Sequence, residues 1–115
     1  LASRYDRLLA GLPLRLPYQE VWAESAWHLY VIQIGQEARR SRAEVFACLR
    51  EEGIGVNVHY IPVHTQPWYR RLGFGWNQFP EAEAYYRRAL SLPLFPALTE
   101  EEQDRVVAAL RRALV

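Results

Sequence analysis

Hydrophobic positions along the chain change period several times, and each change marks an element. Residues Trp27 to Ile34, W-H-L-Y-V-I-Q-I, are β-branched and aromatic and apolar on both faces, as a central strand would be; Gly35 closes the run. Further on, Val56, Val58 and Tyr60 alternate with Asn57, His59 and Ile61, the period of two that predicts a half-buried strand over 54–61. Pro62 has no ladder N–H, so pairing stops there or survives only on an edge. Between the two runs, Ser41 and Glu44 form an S-x-x-E capping box ahead of Val45, Phe46 and Leu49. Gly53 sits where a left-handed C-terminal cap belongs, so the spacing predicts a helix over 41–52.

The flanks follow the same logic. Residues 2–12 read as a short helix stopped by Gly11 and Pro13, with Tyr5, Leu8, Leu9 and Leu12 on one face; 13–26 reads as an extended connection. Pro80 suits a first helical turn, and Ala82, Tyr85, Tyr86, Ala89 and Leu90 form a stripe predicting a helix over 80–90. The tract S-L-P-L-F-P at 91–96 is at best an edge strand. Thr99 and Glu102 make a second capping box, followed by Val106, Val107, Leu110 and Leu114 on a helix over 99–114. The order implies an α/β fold built as an α+β layer, a small mixed sheet covered by amphipathic helices. Strands 27–34 and 54–61 are parallel neighbours joined by a right-handed crossover, or have another strand between them; sequence leaves both open.

Composition narrows the function. With 115 residues, half of them hydrophobic, residues 1–115 make one domain with a real core. A formal charge of +1 argues against a nucleic-acid surface, and no apolar run approaches the ~20 residues that span a bilayer. Cys48 is the single cysteine and has no internal partner, which points to a reducing, cytoplasmic setting. All fourteen basic side chains are Arg, so chemistry that needs a lysine amine is excluded. The absence of Met suggests a piece of a longer polypeptide.

Candidate chemistry gathers at the end of the second strand. His64, Gln66, Trp68, Tyr69, Arg70 and Arg71 follow Pro62 closely, a composition suited to a polar, anionic ligand. Blander readings compete. His59 and His64 lack the third and fourth ligands that zinc needs, and Cys48 flanks an apolar helical stripe as a small core residue would. His59 fits a sheet-surface residue bonded to a neighbour, and Trp68 and Tyr69 fit core or interface positions. Arg70-Arg71 and Arg87-Arg88 fit solvated helix faces, although an arginine pair also grips phosphate or carboxylate, and Arg39-Arg40 reads as surface. Tyr5, Leu8 and Leu9, with Trp22, Trp68 and Trp76, read as apolar surface for a partner.

The run G-I-G-V-N-V-H-Y-I-P-V-H-T-Q-P-W-Y-R-R-L-G (53–73), with F-P-E-A-E-A-Y-Y-R-R-A-L-S-L-P-L-F-P-A-L-T-E-E-E-Q-D-R-V (79–106), resembles the C-terminal part of the DegT-type sugar aminotransferases. The segments R-Y-D-R-L-L (4–9) and S-A-W-H-L-Y-V-I (25–32) resemble the same family in the same order, so the likeness covers nearly the whole chain. The wording V-H-Y-I-P-V-H is most similar to the branch that aminates a UDP-linked 4-keto-6-deoxy sugar for pseudaminic acid. The resemblance implies a small C-terminal domain of a fold type I, homodimeric enzyme that uses pyridoxal phosphate and takes its amino group from glutamate. In that family the cofactor is held through a lysine in a large N-terminal domain, which this chain lacks along with any lysine. The resemblance also implies that His64, at the P-x-H histidine, lines the sugar-nucleotide pocket, with Tyr60 and His59 as neighbours. Neutral imidazoles and a phenol can hydrogen-bond sugar hydroxyls without burying charge. No catalytic, cofactor-binding or metal residue is carried over. A free-standing interaction module, or a domain that binds a nucleotide sugar without turnover, remains an alternative, and the coding sequence ahead of Leu1 would separate these.

A lysine-free chain forms no internal covalent link to pyridoxal phosphate. Treatment with the cofactor, borohydride reduction and peptide mapping should find no pyridoxyl group on an internal side chain; labelling of the Leu1 α-amino group is the one expected product.

Overall fold

The computed structural model describes all of residues 1–115. Its elements are α1 (Ala2–Leu9), β1 (Leu14–Arg15), β2 (Tyr30–Ile34), α2 (Arg42–Glu51), a 3-10 turn (Val63–Thr65), α3 (Pro67–Arg71), α4 (Pro80–Arg88), β3 (Ala89–Leu92) and α5 (Glu100–Leu114). Both predicted capping boxes form. Ser41 and Thr99 accept from the amides of Glu44 and Glu102, and each glutamate reaches back to the cap amide. The end of α2 is a Schellman motif: the Gly53 amide donates to Arg50 and the Ile54 amide to Leu49 at 2.9 Å. Gly53 takes φ +74°, which a side chain would resist, and the accompanying apolar contact is supplied by buried Leu49 and Ile54.

The sheet has three strands in the order β1-β2-β3, and every pairing is antiparallel rather than mixed. In β2 only Tyr30, Ile32 and Ile34 are fully buried, while Val31 and Gln33 are half-buried, so the run expected to be apolar on both faces has one core face. β1 lies within the stretch read as a connection. The expected strand over 54–61 does not form. Its segment keeps one antiparallel bridge, Asn57 to Ser91, in which both backbone bonds are made at 2.8 and 3.2 Å. Gly55 and Pro62 bracket this bridge and limit the pairing that alternation alone suggested. β3 therefore lies between β2 and Asn57, covered on both edges, and all four of its residues are buried.

The helix expected over 80–90 ends at Arg88, because Ala89 and Leu90 pair with Gln33 and Ile32 in the sheet. Sheet hydrogen bonding overrides the helical period there. The predicted stripe is correspondingly displaced: Ala82 and Tyr85 are exposed, and the buried residue of α4 is Glu83.

α5 packs against α1 and α2, and α2 also touches β3. Tyr5, Leu9, Tyr30, Ile32, Val45, Leu49, Leu90 and Leu110 are buried in a single core. Arg4 ties α1 to α5 through Glu100 at 3.3 Å and Asp104 at 3.0 Å. Tyr5 donates to the Pro93 carbonyl at 3.0 Å, and burial pushes its phenol up to about 12. This corrects the reading of α1 as partner surface: Tyr5 and Leu9 are buried, and Leu8 packs partly against the same core. Trp22, Trp68 and Trp76 are exposed as expected. Cys48 packs partly against the core.

Leu110 of α5 is wholly buried in this core. Leu110→Ala should lower unfolding free energy by about 2–5 kcal/mol, through lost transfer energy and the cavity left behind. Urea denaturation followed by circular dichroism measures it.

Candidate functional site

Between Val56 and Ala89 the buried residues are Pro62, His64, Thr65 and Glu83, so Pro62 is the one buried hydrocarbon side chain of this segment. This excursion from the core is therefore organised by polar bonds. Pro62 starts the 3-10 turn, and the Thr65 hydroxyl donates to the Pro62 carbonyl at 2.7 Å. The turn carries His64 inward. Pro67 then opens α3, whose arginines and Trp68 point to solvent with no buried residue.

Glu83 is the hub. One carboxylate oxygen accepts from His64 Nε2 at 3.0 Å and from the Asn77 amide at 2.7 Å. The other accepts from Arg87 at 3.2 Å, one helical turn later. Asn77 takes φ +71°, a conformation asparagine tolerates, and this aims its amide inward. Burial opposes ionisation of Glu83, yet the bonds from His64 and from the Asn77 and Phe79 amides outweigh it and hold the carboxyl below its ordinary value. A carboxylate acceptor places a hydrogen of His64 on Nε2, and Nδ1, an acceptor in the neutral ring, has no bond inside the chain. The ring packs against Phe79 at 4.7 Å and Trp76 at 6.4 Å. His64 and Phe79, with Pro62, Val63, Tyr69, Phe74 and Ala82, wall an open, mostly apolar hollow of about 440 Å³.

The three histidine-motif candidates separate into two groups. His64 belongs to this hollow. His59 Nδ1 lies 2.8 Å from the Ser91 hydroxyl, beside the Asn57 bridge, the neighbour-bonded sheet position that its blander reading describes. Tyr60 meets the His59 ring edge-on at 4.7 Å and is otherwise 73% exposed. The His59–Tyr60 peptide is cis. Glu83 and Arg87 were missed from sequence because both fit an amphipathic helix's solvent face; the one available signal was a glutamate three residues after a helix-starting proline, downstream of a histidine. No set of three His, Cys, Asp or Glu side chains is arranged to hold a metal ion. Nor does any side chain offer the amine that would anchor an aldehyde cofactor, so the residues present do not fit pyridoxal phosphate as a covalent group.

Replacing Glu83 by Gln turns one acceptor oxygen into an NH2 facing other donors. A carboxyl whose folded pKa is depressed stabilises above its ordinary pKa of 4.5 and loses that contribution as pH falls through the lower folded value. Glu83→Gln should therefore be less stable than the parent chain at pH 7, with the gap closing below about pH 4. Chemical denaturation of both chains at several pH values reads this directly.

Comparison with known proteins gives a consistent neighbourhood. The family described as DegT/DnrJ/EryC1/StrS aminotransferase matches residues 1–111. The spore coat polysaccharide biosynthesis protein SpsC of Bacillus subtilis (strain 168) is 39% identical, over 96% of this chain and 30% of its own length. Among solved structures, the sugar aminotransferase Spr1654 of Streptococcus pneumoniae in its PLP form superposes with a TM-score of 0.88 at 29% identity, over 96% of this chain and 29% of the other. PseC of Helicobacter pylori, an aminotransferase of pseudoaminic acid biosynthesis, superposes at 0.83 with 26% identity, over 98% of this chain and 30% of the other. The chain thus spans about 30% of the length of these relatives.

Proposed function

Because the chain belongs to the DegT/DnrJ/EryC1/StrS aminotransferase family, we propose that it acts as the small C-terminal domain of a sugar aminotransferase and supplies one wall of the sugar-substrate pocket. The whole enzyme transfers an amino group from glutamate to a nucleotide-linked keto-deoxy sugar, and the missing large domain contributes the pyridoxal phosphate chemistry within a homodimer. The chain by itself is not catalytic. The likeness to PseC favours a UDP-linked sugar of the pseudaminic acid type.

The observation that carries the reading is His64: a buried imidazole fixed by Glu83 through one nitrogen, at the wall of an open aromatic hollow, with the other nitrogen unbonded. A sugar ring presents apolar C–H faces and a rim of hydroxyls. The apolar surfaces of Phe74, Phe79 and Tyr69 suit the former, and Nδ1 of His64 accepts from one of the latter. Glu83 prevents the ring from turning, so that acceptor is held in place before the sugar arrives. Tyr60 and His59, exposed and half-buried beside the Ser91 hydroxyl, serve as a second, more peripheral contact. Each of these residues binds and orients; none moves a proton in the amino transfer.

In the enzyme assembled with its large domain, His64→Ala should weaken sugar-substrate handling by about 1–3 kcal/mol, the range for one lost buried polar partner. The glutamate half-reaction and cofactor loading should be nearly unchanged. Single-turnover kinetics on the two half-reactions provides the test. Equal losses in both, or none in either, would make His64 a structural residue.

A further inference from the structure

Five arginines gather at a second hollow, which shares no lining residue with the one that His64 walls. Arg39, Arg40 and Arg42, around the start of α2, and Arg87 and Arg88, at the end of α4, line a single hollow of about 280 Å³. Only Arg87 has a carboxylate within ion-pair distance, Glu83 at 3.2 Å. The remaining ion pairs of the chain belong to Arg4, His64 and Arg112.

The other four cations are occupied only by neutral groups. Arg40 donates to the carbonyls of Arg112 and Ala113, each at 3.1 Å, and Arg88 to that of Ala84 at 3.2 Å. The Arg42 guanidinium lies 5.3 Å over the Tyr86 ring, and its Nε is buried with no hydrogen-bond partner. Arg39 is exposed, and its side chain bonds to nothing. Nearby carboxylates offset this charge only in part. Glu44 is turned back onto the Ser41 amide and hydroxyl at 2.8 and 2.7 Å and still feels the Arg40 charge, and Glu37 lines an adjoining hollow with Arg15 and Arg88, but neither reaches ion-pair distance of an arginine. The capping box already uses the first amides of α2, so the guanidiniums alone carry the argument.

Holding like charges together costs energy that an anion recovers. A monocarboxylate would neutralise one guanidinium and reach one wall. Cations set on two separate elements match a compact anion with several charges and oxygens on more than one side, which forked guanidiniums grip in pairs. We propose that this hollow is a binding site for a phosphate oxyanion of the pyrophosphate class, held chiefly by Arg39, Arg42 and Arg88. The proposal stands apart from the sugar-pocket reading, since none of these three residues touches that site.

Isothermal titration of the 115-residue chain with inorganic pyrophosphate at low ionic strength tests it, with acetate at matched ionic strength as a reference. One pyrophosphate should bind per chain, weakening as salt rises, while acetate shows no saturable heat. Arg42→Ala and Arg88→Ala should each weaken binding by about tenfold, as losing one charge-assisted contact implies. Arg39→Ala, which removes an exposed side chain with no partner, should act in the same direction and keeps the test open should Arg42→Ala fail to fold. Arg50→Ala, at the far end of α2, should leave binding unchanged. UDP as a separate arm identifies the source: tighter binding than pyrophosphate assigns the diphosphate of a nucleotide, weaker binding a free anion. Absence of saturable binding, equal heats with acetate, or the same loss in Arg50→Ala as in the hollow's variants would overturn the proposal.

Discussion

A carboxylate cannot be buried alone, and the half of this fold that carries the candidate site is arranged around that constraint. Glu83 is 1% exposed and draws donors from a 3-10 turn, a loop and its own helix. Each bond fixes something else. His64 fixes the chain after Pro62, Asn77 fixes the loop into α4, and Arg87 fixes the helix end from which β3 departs. An apolar side chain at this position would satisfy none of these groups, and between Val56 and Ala89 only the ring of Pro62 adds buried hydrocarbon that could replace the hub.

The molecule therefore has two kinds of order. The sheet with α1, α2 and α5 is held by area and shape, a core of aliphatic and tyrosine side chains closed by two capping boxes and a Schellman end. The excursion is held by directed bonds within an aromatic shell that stays partly open to solvent. β3 joins the two. It follows α4 without a linker and is pinned between β2 and the Asn57 bridge, so the polar hub is anchored in register with the core. A site built this way combines a fixed acceptor with exposed apolar walls, which suits a ligand with both hydroxyls and hydrocarbon faces.

The same geometry gives Arg87 a double position. It bonds to Glu83 and also lines the arginine hollow, so the buried imidazole and the basic cluster share one guanidinium side chain. The walls of the His64 hollow include no member of the buried apolar core, whereas the arginine hollow is lined in part by Ile34 of that core.

Sequence by itself determined the features set by local bonding: the starts of α2 and α5, the left-handed glycine after α2, the place of β2, and the helical nature of residues 2–9 and 80–88. These are legible because a capping box or a cap glycine is satisfied within a few residues of itself. Tertiary structure alone decided the rest. Ala89 and Leu90 continue a helical stripe, yet distant sheet partners, Gln33 and Ile32, fixed by no local signal, turn them into a strand. The alternation at 54–61 lost its strand for the complementary reason, since β3 offers it only Ser91 as a pairing point. Glu83 and the five-arginine hollow are invisible along the chain because a charged residue on a helix reads as solvent-facing until the partner that buries or surrounds it is placed. Long-range partners set burial, and burial decides what a charged side chain does.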